Sequence, residues 1–301
     1  MNNFVNKNIK AKKRKGVILA GGSGSRLSPL TSVISKQLMP IYNKPMIYYP
    51  ISTLMSFGVR EILLICTPRD LNLFKALLGS GNQWGINIQY EIQRKPEGIA
   101  QAFIIGSSFI KNESVALILG DNLFYGENLN YQLINACKKK GATLFAYAVN
   151  DPERYGVVTL DQNFNAIKIT EKPQKPESNY AISGLYFYDN DVIEIAKSLK
   201  PSQRGELEIT DINNIYLKQK KLKVEILNRG AAWLDTGTFD SLIDAGLFIK
   251  TIENRQALKV GYPEEIAWNN GWITLRELKL IGMKYSKSEY GKYIINLGKN
   301  K

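Results

Sequence analysis

The sequence predicts an α/β fold: a core with a parallel sheet and helices on both faces, followed by a smaller helical C-terminal part. Three observations predict it. Uninterrupted apolar runs at 16–20, 61–66 and 115–119 have the character of strands buried on both faces. Segments of helical character separate them, the alternation that builds parallel sheets through right-handed crossovers. From Thr238 onward the pattern is helical, with Leu242, Ala245, Ile249 and Ile252 on one face.

Element by element, the first run is Gly16-Val17-Ile18-Leu19-Ala20, and it stops at Gly21-Gly22, as a buried strand entering a tight loop does. Pro45 opens an expected helix that ends at Phe57-Gly58, where glycine takes the left-handed cap, with a kink at Pro50. The run 61–66 is a second buried strand. Residues 68–78 read as a helix closed by Gly79-Ser80-Gly81, 86–90 alternate like a strand, and 99–110 are helical. The third buried strand, 115–119, ends at Gly120-Asp121-Asn122. The middle changes character: 143–149, 155–170 and 183–188 hold short β-like runs, punctuated by Pro173 and Pro176. Thr238 suits a helix N-cap and Asp240 a first turn. Lys138-Lys139-Lys140 and the lysines of 218–223 suit helix C-termini. No linker and no internal repeat interrupts the chain. The expected organisation is a flexible basic arm over 1–14, an α/β core over 15–240 and a helical part over 241–301.

Composition excludes several kinds of chemistry. The chain has 301 residues, a net charge of +13 and no histidine. A Ser-His-Asp triad, a histidine general base and histidine-ligated zinc or haem are therefore ruled out. Any proton transfer or metal binding falls to carboxylates, Lys, Tyr or backbone. The two cysteines, Cys66 and Cys137, form no disulfide framework and read as buried thiols of a reducing compartment. No stretch approaches the roughly 20 apolar residues that span a bilayer. The basic N-terminus has no apolar segment behind it, so the chain reads as soluble and cytoplasmic, without a membrane partner. Lys7, Lys10, Lys12, Lys13, Arg14 and Lys15 supply almost half of the net charge. That arm reads as a solvated tail. A nucleic-acid tether competes with this reading but lacks interleaved aromatic residues.

The most informative segment is Gly21-Gly22-Ser23-Gly24-Ser25-Arg26, placed between the first strand and an expected helix. Glycines let backbone N–H groups approach phosphate oxygens, and an arginine adds a fork of donors. Lys36 is a second cation. The loop is neither of the common phosphate-binding types. Leu27 stands where the dinucleotide fingerprint needs glycine, and Arg26-Leu27 replaces the Lys-Ser/Thr ending of a P-loop.

From Lys15 almost to its end, the sequence resembles the sugar-1-phosphate nucleotidylyltransferase family, and most nearly its thymidylyl branch. The resemblance is carried by residues 21–29, by Ser35-Lys36-Gln37-Leu38-Met39-Pro40, by Lys44-Pro45-Met46-Ile47-Tyr48-Tyr49-Pro50, and by Gly120-Asp121-Asn122. Residues 151–158, 171–173, 184–189, 204–211 and 233–238 continue it. It implies a Rossmann-like nucleotidyltransferase core with a mixed, mostly parallel central sheet, its nucleotide-binding half first and its sugar-binding half from about 143. It also implies the reaction of dTTP with glucose 1-phosphate to give dTDP-glucose and pyrophosphate, the first step of dTDP-rhamnose and other deoxysugar biosynthesis. A sugar phosphate is already a nucleophile at neutral pH, which fits a chain without histidine. What remains is to position four anionic groups and neutralise charge at the α-phosphorus.

The resemblance assigns roles residue by residue. Asp121 and Asp235 match the two Mg²⁺ ligands, and two carboxylates with phosphate oxygens and water suit that hard ion. Arg26 and Lys36 match the catalytic cations. Leu19, Gly21, Gly22, Ser23, Gly24, Ser25, Gln37, Gln93 and Gly98 match the nucleotide site, with Gln93 suited to reading an imide because a primary amide both donates and accepts. Asn122, Tyr155, Gly156, Glu171, Lys172, Ile182 and Tyr186 match the sugar-phosphate site. Family members are typically homotetramers with an allosteric nucleotide or nucleotide sugar at a subunit interface. The chain departs from the family pattern at Arg94-Lys95, Ala148 and Ala231, none of them assigned to the chemistry. Two alternatives stay open: the same reaction with UTP or another nucleotide, and a non-catalytic nucleotide-sugar-binding relative.

Overall fold

A computed structural model describes residues 14–22, 24–256 and 258–299. β1 (Arg14–Ala20) is followed by two-residue strands β2 (Pro40–Ile41) and β3 (Lys44–Pro45) and by α1 (Tyr48–Ser56). Then come β4 (Glu61–Cys66), α2 (Leu71–Leu78), β5 (Asn87–Ile92), and the short helices α3 (Gln101–Ile105) and α4 (Ser107–Ile110). β6 (Ser114–Leu119), β7 (Asn122–Tyr125), α5 (Leu129–Ala136), β8 (Ala142–Ala148), β9 (Gly156–Leu160), β10 (Ala166–Glu171) and β11 (Tyr180–Tyr188) follow. The chain continues through α6 (Val192–Ser198), α7 (Ile209–Lys218), β12 (Leu222–Ile226) and β13 (Ala232–Asp235). It closes with α8 (Phe239–Gln256), α9 (Pro263–Asn269), α10 (Leu275–Lys284) and α11 (Glu289–Asn296).

The central sheet is mixed. β5, β4, β1 and β6 lie side by side and parallel. β11 pairs antiparallel along one edge with β6 through Leu185–Tyr188 and with β9 at Ala181, with β10 beyond β9; along its other edge it pairs with β8, with a register shift between Ile182 and Tyr186, and β12 lies beyond β8. Alternation along each buried strand separates two cores. Ile18, Ile62, Leu64, Ala116 and Ile118 face α1, α2, α5 and the C-terminal helices, whereas Val17, Leu63, Ile65, Val115 and Leu117 face α3, α4, α6 and α7. Burial on both faces is why these strands read as unbroken apolar runs. Cys66 and Cys137 are free and buried. Among the described residues no helix is long and apolar enough to cross a membrane.

Five expectations change in the structure. Arg14, counted with the arm, opens β1 and is buried; its guanidinium lies over the Phe187 ring and donates to the carbonyls of Val115 and Tyr188. Residues 1–13 lie outside the described residues. No α-helix follows the glycine-rich loop. Ser28 is held extended before Pro29, so the chain advances by 3₁₀ turns at Ser25–Leu27, Leu30–Ser32 and Lys36–Leu38. Pro45 closes a hairpin with Pro40 around Tyr42, whose φ is 59°, and the helix begins only at Tyr48. Pro50 then falls in the first helical turn, where its missing N–H leaves no intrahelical hydrogen bond unmade. The helix expected from 68 starts at Leu71, because Thr67 and Asp70 form a turn around Pro68. The one expected over 99–110 is broken at Gly106, where a Cβ would come within 3.1 Å of Leu63 on β4.

The C-terminal helices are tied to the core by a buried ion pair. Lys44 Nζ lies 3.0 Å from Glu253 Oε1, with both side chains at most 1% exposed, and the ammonium stands over the rings of Tyr49 and Tyr262. Lys259 and Asn43 reach Glu253 Oε2. Burial pushes the Lys44 ammonium down to about 8, against the pull of Glu253. Its charge therefore costs stability below about pH 8, a cost relieved as pH rises toward the ordinary lysine value. Breaking the pair leaves a buried charge with less compensation than before. Lys44→Met is expected to destabilise by about 3 kcal/mol, and Lys44→Met with Glu253→Gln to recover much of that, as read from urea unfolding midpoints at pH 7.

Candidate active site

β1 and β6 run in parallel with Leu19 opposite Leu119, and the Gly120 N–H donates to the Leu19 carbonyl at 2.9 Å. Both strands thus leave the sheet at one level. β4 lies beyond β1 on one side and β11 beyond β6 on the other, so the two loops meet at the carboxyl edge in the middle of the sheet, where open α/β sheets bind ligands. The glycine-rich loop forms one side of this crevice and Gly120-Asp121-Asn122 the other.

Asp121 Oδ2 accepts from Lys36 Nζ at 2.6 Å, and Oδ1 accepts from Asn122 Nδ2 at 2.8 Å. Lys36 is buried on its 3₁₀ turn. β13 pairs antiparallel with β7, and Asp235 stands opposite Asn122, which brings the second carboxylate beside the first. The Thr236 hydroxyl fastens this edge by donating to the Asp121 carbonyl at 2.9 Å. Asp235 Oδ1 accepts from the Tyr155 hydroxyl at 3.0 Å, and Arg154 lies 3.5 Å from Oδ2. A Cβ on Gly237 would meet both the Arg26 guanidinium and Asp235 Oδ2 at 3.3 Å, which brings Arg26 to the Gly237 backbone beside this carboxylate. Arg26, Lys36, Asp121 and Asp235 are therefore gathered at one edge from three distant parts of the chain.

The two carboxyls titrate in opposite directions. Burial alone would raise Asp121, but the Lys36 ammonium and the Asn122 amide outweigh it and hold the group below the ordinary carboxylate range. That pairing contributes stability above the ordinary value, lost as pH falls through the lowered one. Asp235 is raised, first by burial and further by the negative charge of Asp121, against the Tyr155 hydroxyl and Arg154. The pair supplies only oxygen donors and carries excess negative charge at Asp235. Such a site fits a hard divalent cation. Among the described residues no cluster of three or more His, Cys, Asp or Glu competes for a metal.

On the nucleotide side, Gln93 follows β5, is buried, and donates from Nε2 to Gln101 Oε1 at 2.6 Å. A Cβ on Gly21 would fall 2.1 Å from Gln93 Oε1, so the amide lies directly over the loop. Gly24 has φ 63°, and its carbonyl accepts from the Thr31 hydroxyl and the Leu27 N–H. Leu19 is half-buried at the end of β1, whereas Gly22, Ser25 and Arg26 are exposed. Ser23 lies outside the described residues. Gln37 is buried against Gly120, its Oε1 accepting from Ser35. Gly98 has φ 102° and packs on Leu207, leaving no space for a side chain.

The sugar-side residues gather around β9, β10 and β11. Gly156 stands opposite Glu171, and a Cβ there would contact Glu171, Thr210 and Ile182. Glu171 Oε2 accepts from the Thr210 hydroxyl at 2.6 Å. Tyr186 is buried, and burial together with the Glu171 charge pushes its hydroxyl up. Lys172 is exposed at φ 41° with its N–H on the Tyr155 carbonyl. Asn122 meets β11 at Gly184. It is 3% exposed, and its Oδ1 accepts from the Gly184 N–H and from Trp233 Nε1 while Nδ2 holds Asp121. Its side chain orients the carboxylate from behind.

Sequence reasoning missed Arg154, Thr210, Trp233 and Arg204. Arg204 donates to Glu206 and Glu208 and feels the charge of Glu171. All four lie inside the segments that carry the family resemblance, but only the fold shows which side chains they meet.

The family model described as nucleotidyl transferase matches residues 15–252. The chain is 55% identical over 284 residues to a glucose-1-phosphate thymidylyltransferase of Neisseria gonorrhoeae, covering 94% of this chain and 99% of the relative. It is 55% identical over 283 residues to that of Mycolicibacterium smegmatis, covering 94% and 98%. Among solved structures, a glucose-1-phosphate thymidylyltransferase of Bacillus anthracis in complex with sucrose is similar at TM-score 0.73 and 41% identity, over 78% of this chain and 94% of that one. A UDP-glucose pyrophosphorylase complexed with UDP-glucose is similar at TM-score 0.71 and 25% identity, over 79% and 99%. With the family model spanning most of the chain and relatives at this identity over nearly all of it, the chain belongs to the nucleotidyl transferase family, as an enzyme of its glucose-1-phosphate thymidylyltransferase branch.

Proposed function

We propose that this chain transfers the thymidylyl group of dTTP to glucose 1-phosphate with the help of Mg²⁺, releasing pyrophosphate and delivering dTDP-glucose to deoxysugar biosynthesis. The observation that carries this reading is the convergence of Arg26, Lys36, Asp121 and Asp235 on the edge where β1 and β6 end. A sugar-phosphate oxygen attacks the α-phosphorus, a new P–O bond forms, and the bond to pyrophosphate breaks with its electron pair on the leaving oxygen. No proton need be removed from the nucleophile. Asp121 and Asp235 would hold the Mg²⁺, which when bound neutralises charge on the phosphates.

The chain's own residues supply the remainder. Arg26, exposed at the mouth, offers a planar fork to the triphosphate. Lys36 is held by Asp121 at the crevice wall, a cation that costs little to reorganise as charge builds. Glu171, fixed by Thr210, accepts from sugar hydroxyls, and exposed Lys172 reaches the sugar's phosphate. Gln93 reads the base across Gly21. The likeness to a UDP-glucose pyrophosphorylase keeps UTP as the second donor to test. Phe239, Ile243 and Leu247, an exposed apolar row on α8, support the homotetramer that the family resemblance implies, with its interfacial nucleotide site.

Pyrophosphate release with glucose 1-phosphate and Mg²⁺ should be strongest with dTTP, weaker with UTP, and near background with CTP, ATP and GTP. Release with another donor alone would overturn the base assignment, and no release from folded protein with any donor would overturn the reaction. Asp121→Asn and Asp235→Asn are each expected to lower kcat by about a hundredfold or more; the unfolding midpoint should change little in Asp235→Asn and fall in Asp121→Asn, which leaves the buried Lys36 ammonium without its carboxylate. Near-normal Mg²⁺-dependent turnover in either variant would sink the metal assignment. Gly21→Ala must displace the Gln93 amide, so nucleotide KM should rise by about tenfold or more with kcat less affected.

A further inference from the structure

The Gln93 amide is one member of a polar chain. Its Nε2 donates to Gln101 Oε1 at 2.6 Å, and Gln101 Nε2 donates in turn to Glu97 Oε2 at 2.7 Å. The two ends of a primary amide are alike in shape and opposite in polarity, so packing alone leaves its orientation open. Glu97 removes the choice. An ionised carboxylate only accepts, so the end of Gln101 that meets it must be the NH₂. The other end of Gln101 is then its carbonyl, and the end of Gln93 that meets that carbonyl must again be the NH₂. Turning either amide over would set oxygen against oxygen at hydrogen-bond distance. The group left facing the glycine-rich loop is Gln93 Oε1, which lies over Gly21 beside the second N–H of Nε2. The loop that carries Glu97 is itself pinned, its carbonyl accepting from the Leu207 N–H at 2.8 Å.

We infer that Gln101 and Glu97 are positioning residues that fix the polarity Gln93 presents to the base, and so make the site select an imide edge over an aminopyrimidine edge. This rests on Gln93 being the base contact. A fixed carbonyl beside a fixed N–H is complementary to the N3–H and adjacent carbonyl of thymine or uracil. Cytosine in the same pose offers an acceptor where Gln93 accepts and a donor where it donates, and both contacts fail. Glu97 is exposed and touches no base; it acts only through the two amides.

The test compares Kd for dTTP and CTP, with kcat and KM for dTTP, in the full-length chain. Glu97→Gln supplies a partner of either polarity and should narrow the dTTP-over-CTP preference by about fivefold, through Kd and KM rather than kcat. Gln101→Leu removes the acceptor that holds the Gln93 NH₂ and should narrow it similarly. The double variant E97Q/Q101E should restore the preference, because a carboxylate at 101 still accepts from the Gln93 NH₂ and also from the new amide at 97. A merely structural role for Glu97 would not be undone by this exchange. If Gln93→Ala abolishes the preference while Glu97→Gln leaves it intact, or if the exchange fails to restore it, the relay is overturned and the base contact stands. If Gln93→Ala leaves the preference intact, the base contact itself is overturned.

Discussion

The parallel pairing of β1 with β6 is the constraint on which the site depends. Leu19 opposite Leu119 ends both strands at one level, so Gly21 and Asp121 leave the sheet as neighbours although a hundred residues separate them. A two-residue slip would keep every side chain on its face and move Asp121 about 7 Å along the strand, out of reach of Lys36. The cores on the two faces oppose such a slip by packing rather than by hydrogen bonding. Ile18 and Ile118 on one side, and Val17 and Leu117 on the other, are fully buried and have no other place to go.

Charge at the crevice follows from the same geometry. Two carboxylates brought side by side repel, and the structure resolves this unequally. Asp121 takes the buried ammonium and an amide and stays readily ionised, whereas burial and the Asp121 charge raise Asp235 despite the Tyr155 hydroxyl and the Arg154 guanidinium. Asp235 is therefore the carboxylate with more to gain from an entering cation. A chain without histidine can build such a site because phosphoryl transfer to a phosphate oxygen calls for placed charge and no acid or base poised near neutrality.

Much of this was legible in the sequence, and the remainder was hidden for identifiable reasons. Continuous apolar runs disclosed β1, β4 and β6 because burial on both faces leaves that trace. The glycine-rich loop was legible through its composition, and Asp121 by its place after a buried strand, but its pairing with Asp235 came only from resemblance, since β13 and β7 meet through tertiary contact. Arg14 looked like part of a charged tail because its acceptors, the Val115 and Tyr188 carbonyls, belong to remote strands. The 40–45 hairpin was hidden because Pro45 signals a helix start as readily as a turn. The partners of Asn122 were hidden because Gly184 and Trp233 belong to two later elements that only the folded chain brings to it.

The C-terminal helices bear on the chemistry through one short connection. Asp235 ends β13, and α8 begins four residues later behind the Thr238 cap, whose hydroxyl accepts from the Ser241 N–H. Apolar contacts of Ala245 and Ile249 with Ile41 and Met46 hold the helix against the core but would tolerate small rotations. Directional contacts do not. Glu253 on α8 is bound to Lys44, Asn43 and the Val260 N–H, and Glu264 on α9 accepts from Trp84 Nε1 and the Tyr290 hydroxyl. Buried charges of this kind add little net stability, yet they penalise every arrangement that leaves one of them unpaired. Through them the angle of α8 is set, behind the β13–β7 pairing and the Thr236–Asp121 bond that place Asp235.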